Sequence, residues 1–185
     1  MKITAQPLDD VLLIEGSTFS DARGWFRETW RDDHFGDAGI PAAWQQDNQS
    51  LSVYKGTIRG LHWQKPPFAQ AKLVRVITGR ILDIVVDIRK SSPNFGKGIG
   101  VELSGQANQA VYVPTGFAHG FCTLEANTIV TYKTSMCYNP QNERAMNWAS
   151  AGVGIDWPFS CVDVIISDKD AAAPDLKDIA IEDLF

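Results

Sequence analysis

Apolar residues in this chain recur in short runs broken by Gly, Pro and Asn, the pattern of β-strands joined by turns. The segments "DVLLIEG", "GKGIGVELS", "QAVYVP", "GFCTLE" and "NTIVTYKTSM" each read as a strand. The stretch "AKLVRVITGRILDIVVDIR" reads as two strands joined at Thr78-Gly79-Arg80, which predicts a hairpin. Helical periodicity is missing from the middle of the chain. Only Arg31 to Asp37 and the tail from Ala171 read as helical. The spacing predicts an all-β protein, a cupin-like antiparallel jelly roll with short peripheral and C-terminal helices, formed as one domain over residues 1–185. The mouth of such a barrel can hold a small ligand.

Period-two alternation assigns side chains to faces. Lys72, Val74 and Val76 share one face. Asp83, Val85 and Asp87 share a face opposite to Leu82, Ile84, Val86 and Ile88. Charged groups among valines suit either a functional lumen or a solvated face, and the strand pattern alone favours the solvated face. The stretch "GTIRGLHWQ", residues 56–64, poses a sharper question. It reads as a buried strand, yet it carries Arg59 and His62, and ionisable groups are costly to bury without partners.

Composition narrows the function. Hydrophobic residues make up 44% and charged residues 21%, an ordinary globular balance. The net charge of -5 and the lack of a basic tract argue against nucleic acid as a partner. They leave room for an anionic small molecule, which needs only a few local cations. Cys122, Cys137 and Cys161 form neither a CxxC metal pattern nor a disulfide framework, which suits a reducing cytoplasm. The apolar run in "MKITAQPLDDVLLIEG" is too short for a signal-peptide core or a membrane span, so a soluble protein without a membrane partner is expected. The histidines are His34, His62 and His119. His34 reads as a solvated helix residue. His62 is followed by Trp63-Gln64, so the HxH pair of metal-binding cupins is absent. Two histidines from distant strands could still hold a metal with carboxylates, but no metal or cofactor is the expectation.

Eight segments carry a resemblance: "DARGWFRETW" (21–30), "QDNQS" (46–50), "IRGLHWQKPP" (58–67), "AKLVRVITGRILDIVVDIRKSSPNFGKGIGVELS" (71–104), "VPTGFAHGF" (113–121), "YKTSMCYNPQNER" (132–144), "IDWP" (155–158) and "SDKDAAAP" (167–174). In this order over nearly the whole chain they resemble the dTDP-4-dehydrorhamnose 3,5-epimerases. The resemblance implies a metal-free jelly roll, a homodimer, and a dTDP-4-keto-6-deoxy sugar as substrate. A C4 ketone acidifies the hydrogens at C3 and C5, and epimerisation needs a base, a group to hold enolate charge, and an acid on the opposite face.

By that resemblance His62 is the base and Asp170 its carboxylate partner, although Asp163, Asp168 and Asp175 crowd the same region. Lys72, which "AKLVRV" alone would leave as a solvated strand lysine, stabilises the enolate. His119 sits near the sugar, and Asp83 could orient one of these groups. Tyr132 is the acid, and Tyr138, six residues later, stacks on thymine. Arg59 clamps diphosphate oxygens, as a guanidinium does bidentately. Gln46, Asp47, Asn48, Glu143 and Lys169 match further nucleotide-binding positions. Arg23, Phe26 and Glu28 resemble groups that reach the site from a neighbouring subunit. Taken alone, "RGWFRE" also reads as a turn and edge strand with salt-bridged charges. Trp63, Trp25 and Cys137 depart from the usual Tyr or Phe, Phe, and Tyr of the family, with consequences for the nucleotide pocket. Three other readings remain open: a single-carbon epimerase of a dTDP-4-keto sugar, a metal-dependent cupin oxygenase, and a non-catalytic nucleotide-sugar binding module.

Overall fold

Turn residues and alternation divide the chain as expected. The computed structural model describes residues 2–8, 10–40, 43–158 and 163–185, leaving aside the side chains of Asp32 and His34. The expectations for the His34 side chain and for Cys161 lie outside the described residues. Strands β1 (Lys2–Ala5), β2 (Leu12–Glu15), β3 (Phe19–Asp21) and β4 (Gly24–Phe26) precede a short helix, α1 (Asp32–Gly36). Then follow β5 (Gln46–Ser52), β6 (Ile58–Gln64), β7 (Lys72–Thr78), β8 (Arg80–Asp87), β9 (Gly98–Ser104), β10 (Gln109–Val113), β11 (Phe117–Thr123), β12 (Thr128–Thr134) and β13 (Glu143–Ala145). Helix α2 (Asp168–Ala171) and two 3-10 turns, Leu176–Asp178 and Ile181–Asp183, complete the chain. The short C-terminal helices that the sequence predicts are thus present as α2 and these two turns. Neither turn fully buries a residue of its own, although Leu176 packs half-buried against the apolar residues beneath it.

A six-stranded sheet in the order β1-β2-β10-β7-β12-β5 faces a five-stranded sheet in the order β13-β6-β11-β8-β9. All strand pairs are antiparallel. The protein is an all-β jelly roll. The predicted hairpin at Gly79 is corrected here: β7 lies between β10 and β12, whereas β8 lies between β11 and β9 in the opposite sheet. The chain turns a corner at Gly79, whose φ is +82° and whose added Cβ would lie 2.3 Å from Thr128 Oγ1. Crossing sheets places Val74 and Val76 in one interior cluster with Ile81 and Val85. A hairpin would have laid these strands side by side in one sheet. Burying each such aliphatic side chain stabilises the fold by roughly 1.5–3 kcal/mol.

The solvated-face reading of β8 is also corrected. Asp83, Val85 and Asp87 are fully buried in the barrel interior, and Lys72 joins them at 8% exposure. The opposite face carries Ile84, Val86 and Ile88 into a second cluster with Leu61, Trp63, Met146 and Leu184. Tail and loop segments cover that outer face, so β8 is buried on both sides. A strand covered on both faces gives no apolar alternation from which to tell lumen from solvent. Asp87 is compensated by Arg89 (2.7 Å) and by Ser92 (2.7 Å). Among the described residues no helix is long and apolar enough to cross a membrane.

Candidate active site

Strands β6 and β11 are neighbours, and their register pairs His62 with His119. The register shifts just beyond, where Gly60 and Gly120 meet. Gly60 has φ +105°, and an added Cβ would lie 2.7 Å from His119 O; one on Gly120 would lie 2.5 Å from Arg59 O. Only hydrogen at both positions permits this approach of the two backbones.

Each histidine meets a buried carboxylate. His62 Nε2 lies 2.6 Å from Asp170 Oδ1. Asp170 Oδ2 also accepts the Gly60 N–H at 3.3 Å. Asp170 comes from α2, whose N-cap Ser167 accepts the Asp170 N–H at 3.1 Å through its hydroxyl. Burial alone would raise the Asp170 carboxyl, but the bonds to His62, Gly60 and Ser167 hold it below the usual range. Of the four aspartates near "SDKD", it is Asp170 that meets His62. His119 Nε2 lies 2.9 Å from Asp83 Oδ2, and the other Asp83 oxygen is buried without a hydrogen bond.

Lys72 enters from the facing sheet and donates to His62 O at 3.1 Å. Burial pushes its ammonium down to about 8, against the pull of Asp83 and Glu143. Tyr132 pairs across β12 with Val74 and Asn48. Burial raises its phenol, with Arg59 opposing and Glu143 adding to the shift, so it holds its proton at neutral pH. His62, Lys72, His119, Tyr132 and Asp170 line one cavity of about 560 Å3, with Arg59 and Lys169 on its walls. Arg59 is steadied by Ser52 Oγ (3.2 Å) and Leu51 O (3.1 Å). A neighbouring cavity of about 230 Å3 shares His62, Lys72 and Tyr132 and extends past Gln46, Asn48, Gln64, Tyr138 and Glu143. There the Tyr138 hydroxyl donates to Glu143 Oε2 at 2.8 Å, and Lys169 pairs with the same oxygen.

Four predicted residues stand elsewhere. Asp47 points to the outer face of β5, where it pairs with Lys133 at 3.0 Å, because alternation sends Gln46 and Asn48 inward instead. Arg23 is an exposed turn residue 2.6 Å from Asp21. Phe26 and Glu28 line a separate cavity of about 280 Å3 with Phe19, Phe35 and Arg75. The departures fare differently from one another. The Trp63 indole packs in the outer cluster and donates to Asp183 O at 2.8 Å, whereas Trp25 and Cys137 are exposed. Sequence reasoning passed over Ser167 and Gly60 as supports of Asp170. Ser167 three residues before Asp170 is an N-cap signal; the Gly60 contact, 110 positions away, left none. Among the described residues no three His, Cys, Asp or Glu side chains cluster to hold a metal ion.

A jelly roll whose interior pairs two histidine–aspartate dyads with a buried lysine and tyrosine has the parts of a proton-transfer enzyme. The sequence model of the dTDP-4-dehydrorhamnose 3,5-epimerase family matches residues 5–178, and the chain belongs to that family. A curated relative from Shigella flexneri, a dTDP-4-dehydrorhamnose 3,5-epimerase, is 43% identical over 92% of this chain and 93% of its own length. The crystal structure of the Legionella pneumophila dTDP-6-deoxy-D-glucose-3,5-epimerase in complex with dTDP-4-keto-L-rhamnose superposes with a TM-score of 0.94 at 39% identity, covering 99% of this chain and 96% of that one. A 3'-monoepimerase from Streptomyces bikiniensis in complex with dTDP-quinovose reaches 0.87 at 32% identity, covering 94% and 87%.

Proposed function

We propose that the protein is a sugar-nucleotide isomerase that epimerises C3 and C5 of dTDP-4-dehydro-6-deoxy-D-glucose, giving dTDP-4-dehydro-L-rhamnose for dTDP-L-rhamnose synthesis. The observation that carries this reading is the meeting of His62–Asp170, Lys72 and Tyr132 at the junction of two cavities. Family membership over residues 5–178 supports it and supports one epimerase domain. With Nε2–H given to Asp170, His62 presents Nδ1 as base. The C–H bond beside the ketone breaks, its electrons pass into the enolate, and the proton goes to Nδ1. Asp170 stabilises the imidazolium that forms. Lys72 and His119 hold the enolate charge in a site partly shielded from water, where a fixed cation counts for more. The Tyr132 O–H bond then breaks to deliver its proton to the opposite face; the phenolate regains a proton from water, and the His62 imidazolium gives its own proton up to water. Arg59 and Lys169 hold the diphosphate, and Gln46, Asn48, Tyr138 and Glu143 hold the nucleoside.

The test is NMR of the product formed in deuterated water with a coupled 4-reductase. Deuterium at both C3 and C5 with a dTDP-L-rhamnose product is expected. Label at one carbon would establish the single-carbon reading that the Streptomyces relative keeps open.

The pH profile tests Lys72. Its pKa is depressed, so the useful ammonium is present below about 8 and lost above it. The alkaline limb of kcat/KM, which reports the free enzyme, is expected near that value and should vanish in Lys72→Met.

A homodimer accounts for the placement of Arg23, Phe26 and Glu28. The β3–β4 hairpin exposes Phe19, Trp25 and Phe26 at 63%, 64% and 67%, and a partner's site is the reading that uses them. Mixing Arg23→Ala with His62→Ala protein should then restore about a quarter of the wild-type activity, because each mixed dimer keeps one intact shared site. No recovery after subunit exchange would sink the shared site. A cytoplasmic setting accords with the free thiols of Cys122 and Cys137.

A further inference from the structure

The connection between β12 and β13 forms no strand over residues 136–139, yet its backbone is bonded like one. Three glutamine side chains do this. Gln70 Nε2 donates to Met136 O at 2.7 Å. Gln64 Nε2 donates to Cys137 O at 3.3 Å and to Phe68 O at 2.7 Å. The Tyr138 N–H donates to Gln46 Oε1 at 2.9 Å, and the Asn139 N–H to Gln64 Oε1 at 2.7 Å. A surface connection ordinarily gives such groups to water. Here Gln64, 2% exposed, uses both ends of its amide to join two connections.

Tyr138 gains most from this arrangement. Its ring is 52% exposed, so packing does little to fix it, and its hydroxyl is held by Glu143. The backbone on either side of it therefore sets where the ring stands. Gln64 also lies two residues after His62 on β6, so one strand carries the base and grips the connection that presents Tyr138.

We propose that Gln64, supported by Gln70, is a positioning residue that holds Tyr138 against the nucleobase at a set distance from His62, and so governs nucleotide binding and not proton transfer. This rests on the epimerase reading above. The buried amide satisfies three partners, Phe68 O, Cys137 O and the Asn139 N–H, and bonds to neither His62–Asp170 nor His119–Asp83.

The test replaces Gln64 with methionine, similar in length but without hydrogen bonds. KM for the keto sugar nucleotide and Kd for dTDP, by calorimetry, should both rise about tenfold, since a loosened side chain must be ordered again on binding. The kcat at saturation should fall less than KM rises. A fall in kcat with KM and dTDP affinity unchanged would overturn the proposal, as would no change in either. If Gln64→Met does not fold, Gln70→Met decides. It cuts only the Met136 link, and a smaller rise in KM and Kd supports the bracket while unchanged values overturn it. Wild-type protein is measured alongside. Wild type that neither binds dTDP nor exchanges solvent deuterium refutes the epimerase reading, whereas active wild type with unaltered variants refutes the bracket alone.

Discussion

Replacing His62 with alanine should abolish solvent deuterium incorporation beside the ketone while dTDP still binds. A positioned general base contributes about 10²–10⁴-fold, and the pocket holds no substitute. Lys72 is a cation through neutral pH, and His119 is proposed to hold the enolate charge beside it. The variant should still fold. Asp170 loses its 2.6 Å partner, but keeps the Gly60 N–H and its place behind the Ser167 cap. Leaving a buried carboxylate partly unpaired costs about 1–3 kcal/mol, within the reserve of an ordinary domain. Calorimetry with dTDP should give a Kd within a few-fold of wild type, because the residues proposed to grip the nucleotide are untouched. Persistent exchange at either carbon would refute the assignment of the base.

The second large effect is expected from Tyr132→Phe, and it is a separation of two rates. The ring is retained, so the packing of β12 against Val74 is kept and only the hydroxyl is lost. Proton removal by His62 then continues, while delivery from the opposite face has no donor. Net inversion should fall about 100-fold, the lower range for a lost general acid, with wash-in of deuterium at unchanged configuration much less affected. The phenol's raised pKa is consistent with this role, since a proton held firmly at neutral pH is available when the enolate forms. Equal loss of exchange and inversion would place Tyr132 in binding or in structure instead.

These two residues also show what can be read from one dimension. The motifs around His62 and Tyr132 mark both residues, and both line the cavity. Asp47 lies in a motif of the same kind but points outward to Lys133, because a neighbour in sequence on a strand is on the other face. The Gly79 corner reads as a hairpin in sequence, since two β-rich runs separated by a tight glycine turn look alike whether they pair or cross. Strand pattern alone favours solvent for Asp83 and Asp87 because a charge is usually solvated, whereas the resemblance lets Asp83 orient a site group. Their compensation comes from His119 and from Arg89 with Ser92, and the His119 contact spans 36 positions.

By itself the sequence determined the strand content, the antiparallel class, the family, and the chemical kinds of group available for an epimerisation. Those follow from local alternation, turn residues and short motifs, which act over a few residues. Only the tertiary structure decided which charged residues are buried, which sheet each strand joins, which histidine Asp83 meets, and how three glutamines fasten the turn under Tyr138. Each of those depends on contacts across tens of residues. Burial makes such contacts worth forming, because a polar group removed from water must find its partner inside the protein.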